Sequence, residues 1–187
     1  MRKYILPIDI KLDYSSLSTV KQKKISLKKT NHYHKHRRTI PNTIRSKIDK
    51  HEIVYGARAL NKRFPSYLDK PTVDYDIYTP HPKRDARETE RALDKKFGGD
   101  FFYIEPATHK DTVRVKSHID GTVVADYTKP EKKIPYDSID GIKYVKLGFV
   151  KKQIKKTLAD PSAEYRYKKD SDSFNRIRIY ERIKGKK

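Results

Sequence analysis

The chain has 187 residues with 45 Lys and Arg against 24 Asp and Glu, a net charge of +21 and no cysteine. That length suits one domain, or one domain with an arm, and the cysteine count excludes disulfides and thiolate metal sites. No apolar run approaches the ~18 residues of a membrane helix, and so large a positive charge repels itself until a polyanion neutralises it, so RNA or DNA is the expected partner and a membrane is not.

Residues 1–50 hold 14 basic and 3 acidic side chains. They open on an apolar stretch, Tyr4 to Ile10, interrupted by Pro7 too soon for a signal peptide, which points to an intracellular protein. Beyond it the composition turns to Ser, Thr, Lys, Arg and His. Such a stretch has little apolar surface with which to order itself, so it reads as a basic arm, extended or ordered on a partner. Lys23, Lys24, Lys28, Lys29, Arg37 and Arg38 are its candidate contacts to a nucleic-acid backbone. His32, His34 and His36 sit among like charges that repel a cation, and they read as solvated or phosphate-facing.

Residues 51–187 have the pattern of a folded domain. Ile53, Val54 and Tyr55 form a short strand or helix end running into Gly56, and a basic connection from Arg58 to Lys70 leads to Pro71. The next strand, Thr72 to Tyr78, puts Asp74 and Asp76 on one face about 7 Å apart, with Val73, Tyr75 and Ile77 turned the other way into a core. A helix follows over about 83–97, with proline in its first turn and Gly98-Gly99 as its stop. Strands are predicted over 101–105, 112–117 and 122–127, the last two joined through Asp120-Gly121, a type I′ turn signal. With an ideal two-residue turn, Asp126 would pair with Val115 and share a face with Val113 and Val124. Either a bulge shifts that register or Asp126 lies at an open edge.

Leu147, Val150, Ile154 and Leu158 fall in one narrow arc at helical spacing. Lys152, Lys155 and Lys156 lie away from it and form a second candidate set of nucleic-acid contacts. Asp160-Pro161 breaks that helix, and Ser173 is the candidate cap of a last one over about 174–183. The order of elements implies an α+β domain, a mixed sheet covered by helices.

Two carboxylates on one strand face are a seat for a divalent cation with oxygen ligands, and a glycine turn upstream lets backbone N–H groups approach a phosphate. The pattern points to metal-assisted nucleotidyl transfer. Four segments in order, Val54-Tyr-Gly-Ala-Arg58, Pro71-Thr-Val-Asp-Tyr-Asp-Ile-Tyr78, Gly98-Gly-Asp-Phe-Phe-Tyr-Ile104 and Val124-Ala-Asp-Tyr-Thr128, resemble the nucleotidyltransferase domain of the poly(A) polymerases of large DNA viruses, the poxvirus and giant-virus type. The tail, Leu158-Ala-Asp-Pro with Arg166 and Lys168-Lys-Asp170, resembles the helical segment that follows that domain.

The resemblance implies a polymerase-β-like fold in which Asp74, Asp76 and Asp126 hold Mg²⁺ or Mn²⁺. Gly56 and Ala57 would lie beside the triphosphate, with Arg58, and Lys62 or Arg63, as its counter-ions. It implies an NTP, ATP foremost, as donor and an RNA 3′ end as acceptor, in a virion or host cytoplasm. The superfamily has Gly-Gly or Gly-Ser where this chain has Gly56-Ala57. That difference and the charged arm leave open an alternative, a catalytically reduced protein on the same fold that binds nucleic acid or serves a protein partner or larger assembly.

Overall fold

The computed structural model describes residues 19–185, so the apolar stretch Tyr4 to Ile10 lies outside the described residues. Helices α1 (Thr19–His36) and α2 (Ile40–Arg45) precede strand β1 (Ile53–Tyr55), helix α3 (Gly56–Asn61), strand β2 (Tyr75–Tyr78) and helix α4 (Pro82–Phe97). Then come β3 (Phe102–Pro106), β4 (Thr112–Ser117), β5 (Val123–Thr128), β6 (Tyr136–Ile139), β7 (Ile142–Val145), α5 (Leu147–Leu158) and α6 (Tyr167–Lys184). The seven strands form one sheet in the order β3-β4-β5-β2-β1-β7-β6. It is mixed, because β1 runs antiparallel to β2 and parallel to β7. The α+β class expected from the order of elements is what the structure has. Two compact units are present, residues 19–48, 73–75 and 79–129 in the first and 49–72, 76–78 and 130–185 in the second.

In the first unit, α4 buries Ala86, Thr89, Leu93 and Phe97, one face at helical spacing. Pro82 enters its first turn and Gly98 ends it, its N–H returning to the Asp94 carbonyl. Asp94 also accepts the N–H groups of Phe101 and Phe102 at 2.8 and 3.0 Å, which ties the end of the helix to the start of β3. Burial pushes the Asp94 carboxyl up to about 6, against those two hydrogen bonds. An acid whose folded value lies above its unfolded one stabilises the fold most when protonated, so this contribution is lost as the pH rises from about 4 through 6. Urea midpoints measured from pH 4 to 7 should therefore fall less steeply for Asp94→Asn than for the wild type, and equal slopes would remove the assignment.

The stretch that composition marks as an arm is helical from residue 19 onward. Tyr33, 2% exposed, lies between Phe97 and Phe102, with ring centroids 5.9 and 6.2 Å away, and its hydroxyl donates to Asp120 at 3.3 Å. Ile40 and Ile44 are buried as well. Tyr33, Ile40 and Ile44 make a sparse apolar set, enough to seat the helices in a stretch that is otherwise mostly charged or polar. The His32 ring lies 4.5 Å from that of His36, tilted by 36°, and 5.6 Å from that of Phe101, and His32 and His34 are both exposed.

Strands β4 and β5 pair through a register shift at Val115/Lys116, the first of the two alternatives that the placement of Asp126 left open. Their connection is wider than a two-residue turn, closing with Ser117 N–H on the Thr122 carbonyl at 3.0 Å.

In the second unit the two-residue Asp-Gly turn is at Asp140-Gly141, with φ +50° and +77° and Ile139 paired to Ile142. This β6–β7 hairpin was not predicted. The stripe Leu147, Val150, Ile154 and Leu158 of α5 packs with Leu60, Phe64 and Ile177, as its spacing indicated. Helix α6 begins at Tyr167 rather than near 174, and Ser173 does not cap it: its hydroxyl donates to the Lys169 carbonyl one turn back.

Candidate active site

β1 delivers the chain to Gly56, the first residue of α3, at φ +66°. That is the left-handed region, where glycine alone is unstrained. The second reason for glycine is steric, since a Cβ here would sit 1.9 Å from Asp76 Oδ2 and 2.8 Å from Asp76 Cγ. Tyr55 pairs with Asp76 across β1 and β2, and this pairing sets the carboxylate against the turn. Asp76 and Gly56 are therefore one feature, an acid seated on the backbone of a strand-to-helix turn.

The alternation predicted around the acids holds from residue 74 onward. Asp74, Asp76 and Tyr78 are half-buried while Tyr75, Ile77 and Thr79 are buried. It fails at Val73, expected in the core and instead 63% exposed, because β2 starts at Tyr75 and the residues before it do not yet follow the sheet. Asp74 accordingly stands one residue ahead of the strand. Arg58 donates to the Thr72 carbonyl at 3.4 Å, bracing the segment that carries Asp74, and Ala57 beside it is half-buried.

Asp126 lies on β5 opposite Arg114, which reaches it with Nε at 3.3 Å from Oδ1 and Nη2 at 3.5 Å from Oδ2. Both side chains are half-buried, so the ion pair answers the cost of an acid on a largely apolar strand. Among the described residues, no three His, Asp or Glu side chains are gathered into a cation-holding group. Lys62 and Arg63, read as partners for a triphosphate, are held by the β6–β7 hairpin. Lys62 pairs with Asp140 at 2.6 Å, and Arg63 pairs with Asp137 at 3.1 Å and donates to the Tyr144 carbonyl at 3.2 Å. They brace the second unit.

No family model and no curated protein matches the chain. Among solved structures, the Megavirus polyadenylate synthase superposes with a TM-score of 0.67 at 22% identity, over 96% of this chain and 40% of that one. The chain shares the fold of that synthase. JHP933 from Helicobacter pylori follows with a TM-score of 0.43 and 16% identity, over 80% of this chain and 61% of its own. The resemblance read from four short segments is thus borne out in the fold. In the shared fold those segments occupy the β1–α3 turn, the approach to β2 with β2 itself, the entry to β3, and β5. The chain spans 40% of the length of the synthase.

Beside the Gly56–Asp76 pair the second unit carries a tyrosine pair that sequence reasoning did not assemble. The Tyr55 and Tyr78 rings stack at 4.0 Å with an interplanar angle of 17°. Burial and then the Asp76 carboxylate raise the Tyr78 hydroxyl above its ordinary value, against the pull of Arg166, so it stays protonated. Arg166 itself pairs with Asp170 at 3.3 Å one turn along α6. One face of the Tyr78 ring is thus covered by Tyr55. The alternating pattern at 74–78 and the motif around Arg166 were visible in sequence, but the tyrosine pair arises from cross-strand register.

The cations proposed for nucleic acid divide by environment. Lys23, Lys24 and Lys28 are exposed on α1, as are Arg37 and Arg38 in the 3-10 turn after it, and Lys152, Lys155 and Lys156 are exposed on α5. Lys29 has a packing role, donating to the Asp100 carbonyl and lying 4.9 Å from the Phe101 ring centroid.

Proposed function

We propose that the chain is a metal-dependent nucleotidyltransferase that adds a nucleoside monophosphate from an NTP, ATP foremost, to an RNA 3′ end. The observation that carries this reading is the seating of the Asp76 carboxylate on the Gly56 turn. A hard anionic ligand and a strand-to-helix turn, whose first N–H groups have no carbonyl partner within the helix, are the two halves of a metal–triphosphate site.

Asp76 on the turn, with Asp74 and Asp126 as the further carboxylates that the resemblance supplies, would hold Mg²⁺ or Mn²⁺, whose chemistry is to lower the pKa of the attacking hydroxyl and to neutralise the triphosphate. All the donors are carboxylate oxygens, which suits hard cations. The backbone at Gly56 and Ala57 orients the phosphates, and Arg58 supplies a counter-charge from its brace on Thr72. The exposed lysines of α1 and α5 follow an RNA backbone without reading its sequence. A location inside the cell accords with these substrates, and no described helix is long and apolar enough to cross a membrane.

The Arg114–Asp126 ion pair favours a second reading, a catalytically reduced member of the fold that binds nucleic acid within a larger assembly. Incubation with labelled ATP, a short RNA and Mg²⁺ or Mn²⁺ separates the two. The first reading predicts RNA extension that EDTA abolishes and that Asp74→Ala/Asp76→Ala lowers roughly a thousandfold. Equal incorporation by wild type and double variant would sink it, and binding of RNA without any incorporation would favour the second.

A further inference from the structure

We propose that the groove between α5 and α6 binds a single strand of nucleic acid by its sugar–phosphate backbone. This deepens the function proposed above by locating where an acceptor strand is gripped, and it rests on that reading for the strand being an acceptor. The groove, about 450 Å³, is lined by Lys151 and Lys155 from α5 and by Phe174, Arg178, Glu181 and Arg182 from α6. Four cations face one acid, and that acid is engaged, with Lys151 Nζ 2.6 Å from Glu181 Oε2.

Each wall repeats its charge at i and i+4: Lys151 and Lys155 on one side, Arg178 and Arg182 on the other. Like charges at that spacing weaken a helix, and α5 carries four lysines with no acid to relieve them. An anion along the groove reverses the sign of that term. The spacing favours a polyanion over a single ion, since i to i+4 advances about 6 Å along a helix, a repeat suited to successive phosphates. Arginine forks match phosphate geometry, and Phe174, with Lys155 Nζ 6.0 Å from its ring centroid, supplies an aromatic wall to which a base can be applied. Of the three lysines that sequence singled out on α5, only Lys155 lines this groove. Lys152 and Lys156 are turned about 100° from it on the helix.

Fluorescence anisotropy with the full chain and a labelled 12-nucleotide oligo(U) tests the proposal. Lys155→Ala/Arg178→Ala/Arg182→Ala should weaken binding at least tenfold at moderate salt and flatten the slope of log affinity against log salt by about 2, the value for three lost phosphate contacts on a single strand. A charge-matched variant elsewhere, Lys95→Ala/Lys132→Ala/Lys133→Ala, should change the affinity less than threefold. Equal losses in both variants, or none in the groove variant, would overturn the site. So would a glutamate-rich peptide that binds as tightly as the oligonucleotide and is lost with the same three residues, since the groove would then be one for acidic protein. Asp74→Ala/Asp76→Ala should bind the oligonucleotide as the wild type does, so failure of the groove and failure of the catalytic reading give different results.

Discussion

Gly56→Ala is expected to destabilise the fold by about 2–4 kcal/mol and to abolish nucleotidyl transfer. About 1–2 kcal/mol of this is the left-handed backbone, which a Cβ disfavours. The remainder is the collision of that Cβ with Asp76 Oδ2, 1.9 Å away, relieved only by moving the carboxylate off the turn. The two contributions separate in a double-mutant cycle. In an Asp76→Ala background the second vanishes, so Gly56→Ala should there cost only about 1–2 kcal/mol by urea denaturation. The same cost in both backgrounds would mean that the glycine serves the backbone alone and that the acid is not seated on it.

The second large effect is at Arg176, 8% exposed within the second unit. Its Nε donates to the Leu68 carbonyl at 2.8 Å and its Nη2 to Asn61 Oδ1 at 2.6 Å, while the guanidinium lies 5.4 Å from the Phe64 ring centroid. Asn61 in turn holds Lys70, donating to its carbonyl at 2.7 Å and accepting its N–H at 3.1 Å. One side chain from α6 thus clamps α3 and the connection leading to Pro71. Nη1 is buried without a hydrogen-bond partner, so the clamp is held against a desolvation cost, and burial lowers the Arg176 pKa from its ordinary value. Arg176→Ala leaves a cavity and an unanswered Leu68 carbonyl, and frees one of the two donors on Asn61 Oδ1, so about 3–4 kcal/mol of destabilisation is expected. Arg176→Lys keeps the charge but lacks the fork that spans two acceptors, and should recover less than half of the loss. An alanine variant within about 1 kcal/mol of wild type would show that the clamp is dispensable.

The parts of the fold legible in sequence were those with dense local signals. Proline and glycine bracket α4, an unbroken apolar stripe marks α5, and alternation about Tyr75 and Ile77 marks β2. The conflict between Asp126 and an ideal hairpin pointed to a bulge or an open edge, and the strands have a register shift at Val115/Lys116. Of the elements that escaped, α1 and β6 did so because their apolar content is thin. Helix α1 rests on Tyr33 among polar and charged neighbours, and β6 exposes three of its four residues, so neither shows a period. The same Asp-Gly dipeptide occurs twice, and only the copy at 140–141 makes the two-residue turn.

At the candidate site, residue type and spacing singled out Asp74, Asp76 and Gly56, and the structure sets Gly56 against Asp76. The contact of Gly56 with Asp76, the ion pair of Asp126 with Arg114 and the stacking of Tyr55 on Tyr78 depend on strand register. Register is a property of the assembled sheet, and no single segment carries it. Lys62 and Arg63 show the opposite case. Their charge and position suited a triphosphate, but the acids that claim them lie more than seventy residues further along the chain.

As proposed, the acid on the glycine turn anchors a metal–triphosphate complex. Binding of Mn²⁺ with a non-hydrolysable ATP analogue, followed by electron paramagnetic resonance, tests it without requiring turnover or an acceptor. Wild type should bind the pair, and Asp76→Ala, folded as judged by its melting curve, should lose the nucleotide-dependent Mn²⁺ signal. Undiminished binding by Asp76→Ala would contradict the account.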